Sequence, residues 1–219
     1  DRSPSRGLGD VYKRQEEDVR KAYEEDHHIS VEAAMAYREA GFMYLGLPEE
    51  VGGVPVDKLT QILLVEKLHE FTGAILPFVT DFNTITDVID FGSKDQQEMI
   101  MNAIENVEST CIACSAISEP AAGSDNNAMT CVTRKQPDGT YLLNGQKTWV
   151  TLGGLAPYTM VVAKDEDPSY DNDKYSLWLV PAETEGFTYA KLDKVGQQII
   201  PFVDQFFDNV VLTEDMRLG

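Results

Sequence analysis

Two short phrases concentrate the residue types that could hold a planar, heteroatom-rich ligand. The first, ACSAISEPAAGSD, runs from Ala113 to Asp125, and the second, YLLNGQKTWVT, from Tyr141 to Thr151. In the first, an apolar run from Ile112 to Ile117 breaks at Glu119-Pro120 into Ala121, Ala122, Gly123 and Ser124. These side chains are so small that their backbone N–H groups can approach a ligand closely. Such a turn makes an anion-binding concavity without lysine or arginine. Ser118 and Ser124 add hydroxyls that can donate to ring heteroatoms or phosphate oxygens. In the second phrase, Trp149 and Thr151 fall on one face of a strand because side chains alternate. A flat aromatic two residues from a hydroxyl donor suits a planar ring. The same residues also have a plain structural reading, a strand running into a proline-containing turn with Trp149 as a core anchor. Spacing leaves both readings open.

Elsewhere the reactive residue types lack partners. Cys111 and Cys114 make a lone C-x-x-C inside an apolar run, with no second ligand pair nearby. With Cys131 they read as buried thiols of a reduced cytosol rather than as a zinc or redox site. His27, His28 and His69 show neither ligand spacing nor a Ser or Cys partner. The 18 Lys and Arg against 37 Asp and Glu leave a formal charge of −19, which repels nucleic acid and anionic lipid. No apolar run reaches the roughly 18 residues that a membrane span needs, and the chain opens on no signal-peptide pattern.

A chain of 219 residues allows one or two domains with real cores, and the hydrophobic period changes part-way along it. Residues 1–15, DRSPSRGLGDVYKRQ, follow no period and read as a translated sequencing or assembly artefact, set aside from fold reasoning. Residues 16–110 carry helical spacing and predict an all-α N-terminal domain. A charged helix is expected over Glu16–His27. The next is N-capped by Ser30, with Glu32 in its first turn, and closed by Gly41. Leu45–Asp57 is a loop punctuated by Pro48, Gly52, Gly53 and Pro55. Leu59, Ile62, Leu63, Glu66 and Leu68 mark an amphipathic helix ending near Gly73, and Phe78–Phe91 a more apolar one stopped by Gly92. Ser93 with Gln96 makes a capping box for a last helix reaching about Val107.

Residues 111–219 alternate instead and predict a small antiparallel β-barrel or sandwich, so the whole reads as a multi-domain α+β chain. Strands are expected at Ile112–Ile117, Met129–Arg134, Tyr141–Leu143, Lys147–Thr151, Tyr158–Ala163, Tyr175–Val180, Phe187–Ala190 and Asp204–Phe207. Asp138-Gly139 signals a hairpin turn, and the acidic Lys164–Lys174 stretch a solvated loop.

In this order and about this far apart, the two phrases resemble the flavin-binding signature of the acyl-CoA dehydrogenase family. Its members typically show Thr or Ser before EP-small-AGSD, then LNG-x-K-x-W-[IV]-T. This sequence has Ala121 where Gly is commoner and Ser118 where Thr is commoner. GFMYLGLPEEVGG (Gly41–Gly53) is similar to the family's entrance loop, and GSKDQQEMIM (Gly92–Met101) to its last helix before the sheet domain. FDNVVLTEDMRLG (Phe207–Gly219) is similar to the segment that precedes the long C-terminal helices. The resemblance covers Glu16–Gly219, about the first half of a family member.

The resemblance implies an FAD-dependent oxidoreductase of fatty acid metabolism. It would desaturate an acyl-CoA thioester between its α and β carbons, with hydride transfer to flavin. It further implies an electron-transfer flavoprotein as partner, a homo-oligomer (a homotetramer) at full length and a cytoplasmic location. Carried over position by position, Ser118 hydrogen-bonds the flavin near its reactive nitrogen. Gly123 and Ser124 meet the pyrophosphate or substrate, Trp149 packs on the isoalloxazine, Thr151 donates a further hydrogen bond, and the backbones of Ser115, Ala116 and Ile117 flank the ring. The family's catalytic base is a Glu of the C-terminal helical domain, expected beyond Gly219; Glu119, before Pro120, reads as a turn residue. The 219-residue piece is then expected to be inactive alone. Two alternatives stand beside this. Gly154–Asp165 (GLAPYTMVVAKD) has some flavour of crotonobetainyl-CoA reductases acting on a carnitine-like ester, and a non-catalytic flavin- or acyl-binding module could end at Gly219.

Overall fold

The computed structural model describes residues 21, 25, 27–72, 76–166 and 175–219, without the side chains of 71–72 and 78–80. The expected leader 1–15, nearly all of the expected Glu16–His27 helix and most of the acidic loop lie outside them. The helical half comes first. Ser30 accepts from the Ala33 N–H and starts α1 (Val31–Glu39), and Gly41, at φ 84°, turns the chain away after it. α2 spans Lys58–Thr72, α3 Pro77–Phe91 and α4 Lys94–Asn106. The capping box of α4 is complete: Ser93 Oγ accepts from the Gln96 N–H, and Gln96 Oε1 accepts from the Ser93 N–H. The same Gln96 amide donates to the carbonyls of Asp215 (2.8 Å) and Arg217 (2.9 Å), which ties the helix start to the last described turn.

The second half is one eight-stranded sheet: β1 (Ala113–Ala116), β2 (Val132–Lys135), β3 (Tyr141–Thr151), β4 (Tyr158–Asp165), β5 (Tyr175–Pro181), β6 (Phe187–Leu192), β7 (Phe202–Leu212) and β8 (Arg217–Leu218). Their order is β6-β7-β3-β2-β4-β5-β8, with β1 beside β4. The pairing is antiparallel except where β1 and β2 run parallel to β4. Asp138 caps the β2–β3 hairpin through the Thr140 N–H and hydroxyl, and Gly139 supplies φ 90°.

Several strand bounds differ from expectation for one reason: backbone hydrogen bonding, not hydrophobic alternation, decides where a strand stops. β2 starts at Val132 rather than Met129, because residues 126–128 form a 3-10 turn that Asp125 caps. The two strands expected at 141–143 and 147–151 are a single β3, bulged twice against β7, between Leu143 and Gly145 and between Lys147 and Val150. Gly145 sits at the first bulge with φ 145°, its Cα so near Cys131 that an added Cβ would lie 2.6 Å from the Cys131 Cα.

Two apolar clusters meet at the sheet. Ile85, Val88 and Ile89 of α3 and Ile100, Ala103 and Ile104 of α4 pack on Ile112, Ala113, Met160, Leu179 and Leu218. Each fully buried Val, Ile, Leu or Met side chain here contributes about 1.5–3 kcal/mol. A second cluster holds Tyr141, Leu143, Trp178, Phe187, Val203 and Phe207. Its indole, Trp178, is wholly buried, tilts against Tyr141 at 4.8 Å and donates Nε1–H to Ser176 Oγ.

The connection from α4 to β1 is bonded from the helical side. Arg38, buried in α1, donates to the Val107 carbonyl at 2.6 Å and to that of Ser109. Asp81, buried in α3, accepts the N–H groups of Ile112 (2.8 Å) and Ala113 (2.6 Å), one on each oxygen. Burial pushes the Asp81 carboxyl up to about 7, against the pull of those two N–H groups and of Arg38.

Candidate functional site

β1 carries the first phrase to the sheet edge, and β3 brings the second alongside it. The contact is made by backbone and by one cation. The Thr148 N–H donates to the Ser118 carbonyl at 2.8 Å. Lys147, wholly buried, donates to the Ile117 carbonyl at 2.9 Å and to Glu119 Oε1 at 2.8 Å. Glu119 is buried as well, and its remaining acceptor capacity is used. Oε1 also takes the Cys131 N–H at 3.0 Å, and Oε2 takes the Thr130 N–H at 2.6 Å and the Thr130 hydroxyl at 2.8 Å. Burial disfavours the Glu119 charge, but Lys147 and the Thr130 and Cys131 donors outweigh it and hold the carboxyl below its usual range. Its own backbone closes a tight turn with Ala122, Glu119 N–H to Ala122 O and Ala122 N–H to Glu119 O. Glu119 is therefore a turn-holding residue here, with both oxygens engaged inside the protein.

Beyond that turn Gly123 and Ser124 are exposed, and a Cβ added at Gly123 meets nothing within 4 Å. Ser118 is half-buried and Ile117 exposed. Ser115 is half-buried with its hydroxyl 2.7 Å from that of Thr84 on α3, and Ala116 is wholly buried. Trp149 is 59% exposed, so the reading of it as a core anchor is wrong; the anchoring indole is Trp178.

Strict alternation would place Lys147, Trp149 and Thr151 on one face. The structure takes Lys147 off the face of the other two, with Val150 the inward residue between Trp149 and Thr151. Trp149 has φ 57°, the left-handed region that costs an L-residue roughly 1–2 kcal/mol, and it lies within the second bulge of β3. The inward positions slip from Lys147 to Val150, and Trp149 turns out to the surface while Thr151 stays half-buried. Thr148, inside the same bulge, is held by its hydroxyl donating to Asp204. Lys147, Thr84 and Thr130 were not marked as site-building residues by sequence reasoning. For Lys147 the signal was present, a lone cation in an otherwise apolar and amide-rich strand.

The comparisons with known proteins follow this division of the chain. The family model for the acyl-CoA dehydrogenase N-terminal domain matches residues 10–108, and that for the acyl-CoA dehydrogenase middle domain matches residues 114–210. The chain belongs to the acyl-CoA dehydrogenase family. Among curated relatives it is 34% identical over 185 residues to a probable acyl-CoA dehydrogenase of Escherichia coli, covering 84% of this chain and 47% of that protein. It is 29% identical over 200 residues to the mitochondrial short-chain specific acyl-CoA dehydrogenase of Rattus norvegicus, covering 90% and 47%. The chain thus spans about half the length of the curated relatives it matches. An acyl-CoA dehydrogenase from Geobacillus kaustophilus shares the fold at a TM-score of 0.82 and 24% identity, over 100% of this chain and 59% of that one. The butyryl-CoA dehydrogenase of Megasphaera elsdenii does so at 0.75 and 24%, over 96% and 58%. The helical half and mostly antiparallel sheet of this family member are the expected fold class. Among the described residues no group of His, Cys, Asp and Glu could hold a metal ion, and no helix is long and apolar enough to cross a membrane.

Proposed function

We propose that this chain is the helical and sheet half of a flavoprotein acyl-CoA dehydrogenase, and that its two phrases hold FAD. The observation that carries the reading is the joining of the phrases. Lys147 and the Thr148 N–H bind the carbonyls of Ile117 and Ser118, while Trp149 and Ile117 face outward at 59% and 42% exposure. Large apolar side chains exposed together beside an open glycine turn mark a ligand-facing surface more than a core edge. The residues fit the group: an exposed indole for the ring, the Ser118 and Thr151 hydroxyls for ring heteroatoms, and the open backbone at Gly123 and Ser124 for phosphate or substrate. Solved family members carrying FAD or its reduced form, from Bacillus anthracis and Mycobacterium smegmatis, share the fold.

When bound, FAD supplies the hydride acceptor for the β carbon of the thioester. The chain's own residues would orient the ring and exclude water: Trp149 would pack on it, the Ser118 and Thr151 hydroxyls would hydrogen-bond it, and the backbones of Ser115, Ala116 and Ile117 would flank it. Proton abstraction from the α carbon does not fall to Glu119, whose carboxylate is spent on four hydrogen bonds. It falls instead to a carboxylate outside these 219 residues, so that this piece alone is inactive. Acyl-CoA as substrate, an electron-transfer flavoprotein as acceptor, a homotetramer at full length and a cytoplasmic place in fatty acid metabolism belong to the same proposal. The test is FAD titration into the apo form of the intact protein, followed by reduction of the bound flavin with short- and long-chain acyl-CoA. Quenching of Trp149 fluorescence and bleaching of the flavin are expected. Absence of FAD binding would refute the site, and binding without bleaching by any thioester would favour a non-catalytic flavin module.

A further inference from the structure

We infer that Lys147 and Glu119 are a positioning pair for the cofactor, holding the Ser118 hydroxyl and the Trp149 indole to a single ligand. The inference rests on the reading that the two phrases bind FAD, and it concerns side chains that face away from that ligand.

Three observations converge on the pair. The first is its setting. Lys147 and Glu119 are paired at 2.8 Å with side chains 0% and 2% exposed. Taking two charges out of water is costly, and well-packed apolar residues often serve folding as well or better. A buried pair bonded in this way is explained by what it fixes. Lys147 fixes the Ile117 carbonyl, and Glu119 fixes the N–H groups of Thr130 and Cys131. Ser118 lies between Ile117 and Glu119, so the pair grips the chain on both sides of it. The Thr148 N–H takes the Ser118 carbonyl itself. With its neighbours tied inward, Ser118 has little freedom left except rotation of its hydroxyl.

The second observation is the strain at Trp149. A bulky residue at φ 57° persists only where its surroundings over-determine it, and such outliers cluster at ligand clamps. Lys147 anchors the chain two residues before the outlier, buried Val150 one residue after, and Thr148 is bound through both its N–H and its hydroxyl. Without the Lys147 anchor the bulge can relax toward regular alternation. That relaxation would swing the indole toward the face that Lys147 now occupies.

The third is the direction of the bonds. Oε1 and Oε2 of Glu119 together accept four hydrogen bonds, and Lys147 Nζ serves an acceptor from each side of Ser118. None of these bonds goes to the Ser118 hydroxyl or the Trp149 indole. Their influence on the cofactor therefore passes through Ser118 and Trp149, which makes them positioning residues rather than cofactor contacts.

The decisive variants are Lys147→Arg and the double substitution Lys147→Met with Glu119→Gln, in the intact protein. The double variant removes both charges together, so neither is left buried alone. The single amide oxygen that Glu119→Gln introduces can still accept from one of the Thr130 and Cys131 N–H groups, which now use separate carboxylate oxygens. Thermal unfolding of the apo forms, FAD affinity and the fine structure of the bound flavin's visible band are measured for each. The double variant is expected to lose some apo stability, because the Ile117 carbonyl and one of the two N–H groups lose their partner, to bind FAD at least tenfold more weakly and to blunt the band's fine structure. Lys147→Arg, which keeps a cation but not its tetrahedral donor geometry, is expected to fall between the two. Unchanged affinity and band shape in both variants would overturn the inference, whatever happens to their melting temperatures. Should the double variant not fold, Lys147→Arg decides alone: an affinity loss larger than its loss of apo stability supports the pair's role, and equal or smaller loss overturns it. Failure of the unsubstituted protein to bind FAD is a separate result, and it would remove the cofactor reading together with this one.

Discussion

Gly145→Ala tests how tightly the second phrase is built into the sheet. The Cβ it introduces would lie 2.6 Å from the Cys131 Cα, 2.8 Å from its Cβ and 2.9 Å from its Sγ. Cys131 is wholly buried, and its N–H is held at 3.0 Å by Glu119 Oε1, so it cannot simply withdraw. Overpacking of this kind costs about 1–3 kcal/mol, and φ 145° adds roughly 1–2 kcal/mol for any L-residue. Together these give about 2–5 kcal/mol, or a fall of about 5–15 °C in Tm for a chain of this size. Two other glycines supply the controls. Gly139→Ala has the positive φ (90°) but open space, and is expected to cost only about 1 kcal/mol. Gly123→Ala has neither constraint, and should leave stability within about 0.5 kcal/mol while weakening FAD binding at the open turn. Urea unfolding of the three apo variants, with FAD titration of each intact protein, reads both effects. A Gly145→Ala protein as stable as the parent, or less perturbed than Gly139→Ala, would refute the reasoning from the close approach to Cys131.

Trp149→Ala should weaken FAD retention by about 1–3 kcal/mol but lower apo stability little, because the indole is 59% exposed; a melting temperature that falls equally with and without FAD would contradict this. Thr151→Val should weaken FAD by about 0.5–1.5 kcal/mol in the same titration, one neutral hydrogen bond being lost while the shape is kept. With Asp81 held up to about 7 in the folded protein, the unfolded chain releases that proton first, near pH 4. Stability from this group is thus fully present below about pH 4 and lost as pH rises to about 7, on the order of 4 kcal/mol in all. Urea unfolding at several pH values should show the parent losing stability over that window relative to Asp81→Asn, and a difference growing the other way would be incompatible with it. The 219-residue chain is also expected to self-associate and bind a hydrophobic dye through Leu59, Ile62 and Leu63, which lie exposed on α2; a monodisperse monomer by light scattering without dye binding would count against this.

Helices were legible where caps and period agreed. Ser30 and the Ser93/Gln96 box mark their helix starts in the sequence as they do in the structure, because a cap is a local bargain between residues three apart. Strands were legible in number and neighbourhood but not in length. β3 read as two pieces because Asn144-Gly145-Gln146 interrupts the apolar alternation, and only pairing with β7 shows that the backbone runs through. The site was legible as two phrases of small residues, hydroxyls and an indole. Their junction was not. The Lys147–Glu119 contact joins residues 28 apart in sequence, and the alternation rule would have put Lys147 beside Trp149 rather than behind it. The rule fails there because a left-handed residue inside a bulge adds one position to the count. Thr84 and Asp81 were hidden for a related reason. Both lie on a helix that the sequence marks only as a more apolar one, and it takes the packing to show that these two polar residues are buried against β1.

The two family models abut between residues 108 and 114, which invites treating that seam as a place to cut the chain into independently folding parts. The bonding says otherwise. The carbonyls of Val107 and Ser109 end on Arg38, and the N–H groups of Ile112 and Ala113 end on Asp81. A sheet half expressed from about Ser109 onward would begin with two amides whose acceptor had been left behind, and with β1 stripped of its apolar cover. The helical half would keep a carboxyl sited for a strand no longer there, and a guanidinium that had lost the Ser109 carbonyl and kept that of Val107. A boundary drawn from sequence families and a boundary drawn from mechanical independence are different things in this molecule. Dissection at that seam is therefore expected to give two damaged pieces rather than two domains.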